Sequence, residues 1–350
     1  MSTIGIAMSG GVDSTVAALL LREKGYSIHG FFMKLPLEQH ETLGQRVQTI
    51  ADRLAIPLHC VDMRQTFSAS IIRYFIESYQ CGETPNPCVR CNQQIKFGLL
   101  ADYMMEQGME RIATGHYANI VHSGAHSYIA RAADWKKDQS YFLARLQPPQ
   151  IERILFPLGG CTKTQVYAKA ESMGLHFSGE ESQDICFLKS SLTSFFVQHD
   201  VPPREGIIAT ADGTVLGTHR GCWNYTIGQR RGLGLPDATP WYVIALDGTN
   251  NRVIVGKKDE LMRQACSLRS LQWVHEAPEL PWRGLVQLRS RHTPVQSVLT
   301  SSQQGVFQHQ FDRPQRAITP GQFAVFYQDN MVVGSAVISK AQERNPWPQS

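Results

Sequence analysis

Two hydrophobic periods alternate through the first half of the chain. Thr3–Met8 is an apolar run of strand length, followed by helical spacing over Thr15–Lys24. Ser27–Met33 reads as a second strand and Leu58–Val61 as a third. Between them, Val47, Ile50, Ala51 and Leu54 mark a helix over Leu43–Leu54. Ile71, Ile72, Phe75 and Ile76 mark another over Phe67–Tyr79, and Gln93–Gln107 continues in the same period. Arg111–Thr114 is a further strand, ending in Gly115-His116-Tyr117. Strands alternating with amphipathic helices predict an α/β unit with a parallel sheet. Its ligand crevice lies at the carboxyl ends of the strands, which gathers residues 9–14, Met33 and 115–117.

Past Pro202-Pro203 the pattern shortens. Gly206–Thr210, Thr214–Gly217, Trp241–Leu246 and Arg252–Val255 are strand-like runs separated by Asp212-Gly213, Asp247-Gly248 and Asn250-Asn251 turns. From about Cys266 longer strands follow, over Gly284–Arg291, Val295–Thr300 and Phe323–Tyr327. The expected organisation is a catalytic domain over residues 1–200, a small central α+β or β module over 201–265, and a β-barrel-like domain over 266–350. The polar, proline-broken tail from Ala341 is expected to be loose.

The junction of the first strand and helix, Ala7-Met8-Ser9-Gly10-Gly11-Val12-Asp13-Ser14, carries the first chemistry. A glycine turn feeding a helix N-terminus offers free N–H groups and a partial positive charge to an anion. Gly10 and Gly11 permit positive φ and close approach of a phosphate. Ser9 and Ser14 add hydroxyls, and Asp13 is placed to cap the helix or to reach a metal on the phosphates. No Gly-Lys-Ser/Thr follows, so the loop is not a Walker A motif. It resembles the PP-loop of ATP pyrophosphatases, which adenylate an oxygen with release of pyrophosphate.

Composition narrows the setting. No apolar run approaches the roughly 18 residues of a membrane span, and the first residues do not read as a signal peptide, which predicts a cytoplasmic protein without membrane association. Eight cysteines in such a chain point to thiol, metal or redox chemistry more than to a disulfide scaffold. The net charge of +4 is uneven: residues 1–200 carry 18 Lys and Arg against 19 Asp and Glu, whereas residues 201–350 carry 16 against 11. Thirteen of those 16 are arginine, whose planar fork suits phosphate and base edges.

The second chemical stretch is Thr84-Pro85-Asn86-Pro87-Cys88-Val89-Arg90-Cys91-Asn92. Its two prolines predict an extended loop that ends where the helix at Gln93 begins. Cys91 then lies near a helix N-terminus, where the dipole and Arg90 favour thiolate. Cys88 and Cys91 can also be read as half of a structural zinc site. A third stretch, Ser182-Gln183-Asp184-Ile185-Cys186-Phe187, holds another cysteine among apolar neighbours. Trp223, Tyr225 and Gln229-Arg230-Arg231 would suit an RNA-loop surface or a solvated basic turn.

Taken together these stretches resemble the bacterial tRNA-specific 2-thiouridylase family. The likeness includes Ser9–Ser14, Thr84–Phe97, Ala113–Ala118, Lys137–Leu143, Ser182–Phe187, Tyr225–Gly234, Arg289–His292 and Thr319–Gln322, in family order along the chain. It implies a PP-loop domain of the adenine nucleotide α-hydrolase-like fold and thiolation at the 2-oxygen of the wobble uridine in the tRNA anticodon stem-loop. It implies ATP, with Mg2+, at Ala7–Ser14, Met33 and Gly115. Cys186 is implied to carry a persulfide from a sulfur-donor protein or cysteine desulfurase, with Cys91 as its partner thiol and Asp13 in the activation step. Contacts to tRNA are implied at Asn86, Pro87 and Cys88, at Lys137, Asp138 and Gln139, and at Arg289 and Ser290. His116 and Gln322 fall where the base is handled.

Many family members carry Asp where this chain has Cys88. A Cys88/Cys91/Cys186 trio is therefore an alternative ligand set for a [4Fe–4S] cluster with one iron open to hydrosulfide. Two rivals stay open from the residues alone. A PP-loop amidotransferase or ligase explains residues 9–14 but gives Cys91 and Cys186 no task. An RNA- or zinc-binding protein without catalysis leaves the ATP loop without one.

Overall fold

The computed structural model describes residues 2–177, 185–236, 238–301 and 306–340. Ser182, Gln183 and Asp184 of the third cysteine stretch, and the tail from Ala341, lie outside the described residues.

Five parallel strands form the first sheet: β1 (Thr3–Ala7), β2 (Ser27–Lys34), β3 (Leu58–Asp62), β4 (Arg111–Ala113) and β7 (Ile154–Leu155). Their order is β3-β2-β1-β4-β7, so the chain reverses direction across the sheet between β1 and β4. Ligands of open α/β sheets bind at such a switch point. Ile4, Ile6 and Phe31 are fully buried, as expected of strands covered on both faces. The α/β expectation holds, with small shifts of boundary. The first helix starts at Val12 rather than Thr15 and runs to Glu23. The second spans His40–Arg53.

One expected loop is a helix. Pro87 starts the helix Pro87–Cys91, with Asn86 as N-cap accepting a 3.4 Å hydrogen bond from the Val89 N–H. Proline lacks only an N–H that the first helical position leaves unpaired anyway, and its fixed φ suits that position. The chain then continues without a break into a π-helical run, Asn92–Leu99, and the helix Leu100–Glu106.

A second sheet comprises β8 (Gly206–Thr210), β9 (Val215–His219), β10 (Tyr242–Asp247) and β11 (Arg252–Gly256), in the order β10-β11-β8-β9. The third is built on β12 (Met262–Trp273), β13 (Trp282–Gln287), β14 (Val295–Ser301), β15 (Phe307–Arg316), β16 (Phe323–Gln328) and β17 (Met331–Ile338). β12 pairs with both β15 and β17, which closes these six strands into a barrel. A hairpin from the first half of the chain, β5 (Asn119–Ser123) and β6 (His126–Ala130), extends this sheet through β17. The sequence pattern did not reveal that addition. Among the described residues, no helix is long and apolar enough to cross a membrane.

Candidate functional site

At the end of β1 the Met8 N–H donates to the Phe31 carbonyl at 2.8 Å, keeping β1 and β2 together up to the loop. Gly10 adopts φ +79°, a region that favours glycine. Gly11 does not use that freedom: it is the extended N-cap of Val12–Glu23 at φ −86°. The Ser9 N–H donates to Ser14 Oγ at 3.3 Å, folding the loop over the helix start. Asp13 does not cap the helix. Its carboxylate instead accepts from Lys163 Nζ at 2.8 and 2.9 Å and from the Tyr117 hydroxyl at 2.9 Å.

Gly115, at the end of β4, closes the other wall of the loop. A Cβ there would stand 2.7 Å from the Asp13 carbonyl carbon and the Ser14 nitrogen, so only glycine lets the two backbones approach. Met33 lies half-buried at the carboxyl end of β2, the strand beside β1. The structure thus brings Ala7–Ser14 and Gly115 into contact and sets Met33 on the neighbouring strand end. Lys163 was not legible in sequence. It is the first residue of the helix Lys163–Ser172, whose Thr162 capping box fixes its position.

Gln139 exchanges two hydrogen bonds with Tyr117: its Oε1 accepts from the Tyr117 N–H at 2.9 Å, and its N–H donates to the Tyr117 carbonyl at 2.8 Å. It therefore buttresses the Gly115-His116-Tyr117 turn. Asp138 is spent inside the fold, accepting from Arg131 Nη1 (2.9 Å), the Ala132 and Ser140 N–H groups (3.0 and 3.2 Å) and Ser140 Oγ (2.8 Å). Its side chain is 5% exposed, so this carboxylate holds the loop rather than facing a polyanion. Lys137 is half-buried beside it.

The cysteine segment is clamped by the barrel. Arg269 pairs with Glu83 through two hydrogen bonds of 2.6 and 2.7 Å. The Thr84 N–H donates to the Pro320 carbonyl at 2.9 Å, and Gln322 Nε2 donates to the Thr84 carbonyl at 2.8 Å. Gln322, expected to handle the base, is in this state a brace for the loop that leads to Asn86, Pro87 and Cys88. Arg289 is exposed on the loop after β13, and Gln287 Nε2 holds the Arg289 and Ser290 carbonyls at 3.2 and 2.9 Å.

Cys88, Cys91 and Cys186 converge closely enough for each thiol pair to feel charge on the other, and all three are free. Their ionisation runs opposite to the expectation. Burial pushes the Cys88 thiol up to about 11 and the Cys91 thiol up to about 12. Desolvation outweighs the opposing charge of Lys96. Burial raises Cys186 as well, although the residue is exposed, so water discounts the effect there. Arg90 directs its guanidinium over the Tyr74 ring at 4.4 Å and acts on the Tyr74 hydroxyl. The cation that acts on all three cysteines is Lys96.

His116 belongs to the same neighbourhood. Burial, and then the Lys96 charge, hold it well below the usual histidine range, so it is neutral. Its Nδ1 shares a 2.7 Å hydrogen bond with Thr114 Oγ1, and its ring packs 5.7 Å from Phe97 and 6.1 Å from Phe156. Among the described residues, no group of three or more His, Cys, Asp and Glu side chains is disposed to hold a metal ion. Neither the half zinc site nor the [4Fe–4S] ligand set fits this arrangement of the described residues.

Trp223, expected on an RNA surface, is buried instead, packed 5.7 Å from Phe196. Arg230 and Arg231 are exposed, and Arg230 lines a hollow of about 620 Å³ together with Leu233, Leu235 and Trp241.

Comparison with known proteins agrees with this geometry. The tRNA methyl transferase HUP domain matches residues 2–190, the tRNA methyl transferase PRC-barrel domain residues 194–257, and the aminomethyltransferase beta-barrel domain residues 263–338. The tRNA-specific 2-thiouridylase MnmA of Desulfotalea psychrophila is 44% identical over 339 residues, covering 95% of this chain and 98% of that protein. The enzyme of the same name from Syntrophotalea carbinolica is 39% identical over 345 residues, covering 95% and 97%. The chain belongs to the tRNA-specific 2-thiouridylase family.

Proposed function

We propose that this protein is a tRNA-uridine 2-sulfurtransferase acting on the wobble uridine in the cytoplasm. The observation that carries the proposal is that the chain offers an anion loop at Ser9–Ser14, closed by Gly115, while Cys88, Cys91 and Cys186 converge around Lys96, whose charge also reaches His116 of the same turn.

ATP binds with its phosphates against the loop amides and the helix N-terminus. Asp13 would be the loop carboxylate available to a Mg2+ ion carried on the triphosphate, which would supply charge neutralisation there, and Lys163 would move from Asp13 toward the phosphates. The uridine 2-oxygen attacks the α-phosphorus; the bond to pyrophosphate breaks, leaving the 2-oxygen adenylated. The terminal sulfur of a Cys186 persulfide then attacks C2, and AMP leaves with the oxygen. The Cys91 thiolate attacks Cys186 Sγ, which releases the thiocarbonyl sulfur on the base and joins Cys91 to Cys186 as a disulfide. An external dithiol reduces that disulfide, and a sulfur-donor protein or cysteine desulfurase recharges Cys186. Neutral His116 is suited to hydrogen-bond the base without repelling Lys96.

The base must leave the anticodon stack to reach this pocket. Exposed Arg289, Arg230 and Arg231 support binding of the RNA backbone, which predicts affinity that falls steeply with salt. The test is mass spectrometry of tRNA nucleosides after a complete reaction, with pyrophosphate release measured in parallel. Release that requires tRNA, together with 2-thiouridine, is the expected result. Release that requires an amino acid instead would assign the chain to the PP-loop ligases.

A further inference from the structure

The eight residues after Cys91 form a π-helical run, Asn92–Leu99, rather than a continuation of the α-helix. Such runs are rare and concentrate at functional sites. This one changes which side chain faces the cysteines. In an α-helix, residue i+5 lies about 140° round the axis from residue i. In a π-helix, whose hydrogen bonds run from i to i+5, the wider turn brings residue i+5 to roughly 50° from residue i, on the same side of the axis. Cys88 and Cys91, three apart on the preceding helix, share a face. The π register extends that face to Lys96. The Phe97 ring against His116 fixes the same segment beside the turn at 115–117.

The register is held from outside. Gln150 Nε2 donates to the carbonyls of both Gln93 and Phe97, each at 2.9 Å, while its Oε1 accepts from the Gln147 N–H at 3.0 Å. Gly98 leaves room for this path, since a Cβ there would meet the Gln93 carbonyl oxygen at 3.0 Å. Asn92 is tied at the start of the run, donating from Nδ2 to the Phe142 carbonyl at 3.0 Å.

The geometry points to Gln150 as a positioning residue that locks the π register of Asn92–Leu99 and so delivers Lys96 to the sulfur atoms, where its ammonium holds sulfur in the anionic form during transfer. This rests on the sulfur-transfer reading above and adds to it a cation and the device that aims it. A buried thiol site without a cation would resist every anionic intermediate.

The experiment uses the full-length chain with Lys96→Gln, Lys96→Arg and Gln150→Glu. Glutamate at 150 keeps the acceptor for Gln147 and loses both donors to the helix. The readout is the rate of iodoacetamide alkylation of Cys91 at pH 8, followed by peptide mass spectrometry, with thermal melting as the fold control. Lys96→Gln is expected to slow alkylation about tenfold and Lys96→Arg to stay within about twofold of the parent. Gln150→Glu is expected to slow it about threefold or more with Lys96 intact. A parent-like rate in Lys96→Gln overturns the role of Lys96, whether or not Gln150→Glu folds. A slowed Lys96→Gln beside a parent-like Gln150→Glu overturns the register argument. Absence of tRNA-dependent pyrophosphate release from the parent chain would instead overturn the sulfurtransferase reading, and alkylation does not depend on it.

Discussion

The nucleotide loop packs on the turn at residues 115–117, and the helical segment that follows Cys91 reaches the same turn through Phe97, yet the loop and the cysteine cluster are prepared in opposite ways. At the loop the charges are already matched: Asp13 is paired with Lys163 and Tyr117, and Gly115 packs directly on the Asp13–Ser14 backbone. At the cysteines the ionisable groups are held neutral, with burial raising the thiols of Cys88 and Cys91 and lowering His116. Binding ATP is thus an exchange of ionic partners, which costs little. Generating a sulfur anion works against desolvation and depends on the Lys96 charge. The difference suits a pathway in which activation precedes sulfur transfer, because reactive sulfur stays suppressed until an electrophile occupies the pocket.

The sharpest way to break this contrast is Cys186→Ser. It should lower 2-thiouridine formation at least about a thousandfold, read by nucleoside mass spectrometry, because the sulfur carrier we propose is gone. Undiminished thiolation would end the persulfide role. Asp13→Asn addresses the other half. Pyrophosphate release should fall about a hundredfold, while Cys91 alkylation keeps the parent rate. Loss of both signals would mean that the two halves do not ionise independently.

Gly115→Ala tests the packing that joins them. The added methyl meets backbone rather than a flexible side chain, so a loss of about 3 kcal/mol in urea unfolding is expected. A neutral substitution would show that the loop can retreat without cost. The barrel provides the comparison outside both halves. His309 is fully buried, neither ring nitrogen has a hydrogen-bond partner among the described residues, and burial lowers it to about 3. The unfolded chain then binds a proton near pH 6.5 that the folded chain refuses, so stability falls as pH drops from 6.5 toward 3. The loss between pH 7 and pH 5 should be about 2 kcal/mol from this residue. His309→Phe should flatten that slope in urea titrations at the two pH values, and an unchanged slope would place the acid sensitivity elsewhere.

Much of the frame was legible because it rests on local rules. Strand and helix periods gave β1 through β4, and the glycine turn before Val12 gave the anion loop. The reading failed where two local rules competed or where contact was long-range. Two prolines in four residues argue against a helix, but proline at the first helical position loses no hydrogen bond. Cys91 was expected to ionise easily from its place at a helix start, yet its surroundings, contributed by distant segments, raise it. The loop-bracing hydrogen bonds of Gln322 and Asp138 were not legible in the sequence. Lys163 and Lys96, the two ammonium groups that define the halves of the site, left no signal in the pattern.

What the sequence determined by itself is the chemistry available: a phosphate-binding turn, well-separated thiols and an arginine-rich β half, each set by residue type and short spacing. What only the tertiary structure decided is which charges meet. Lys163 reaches Asp13 across 150 residues, and Lys96 turns toward the cysteines because Gln150 captures two carbonyls of a π-helical run. Electrostatic pairing and burial depend on through-space distance and on excluded water, and neither quantity is written in local periodicity.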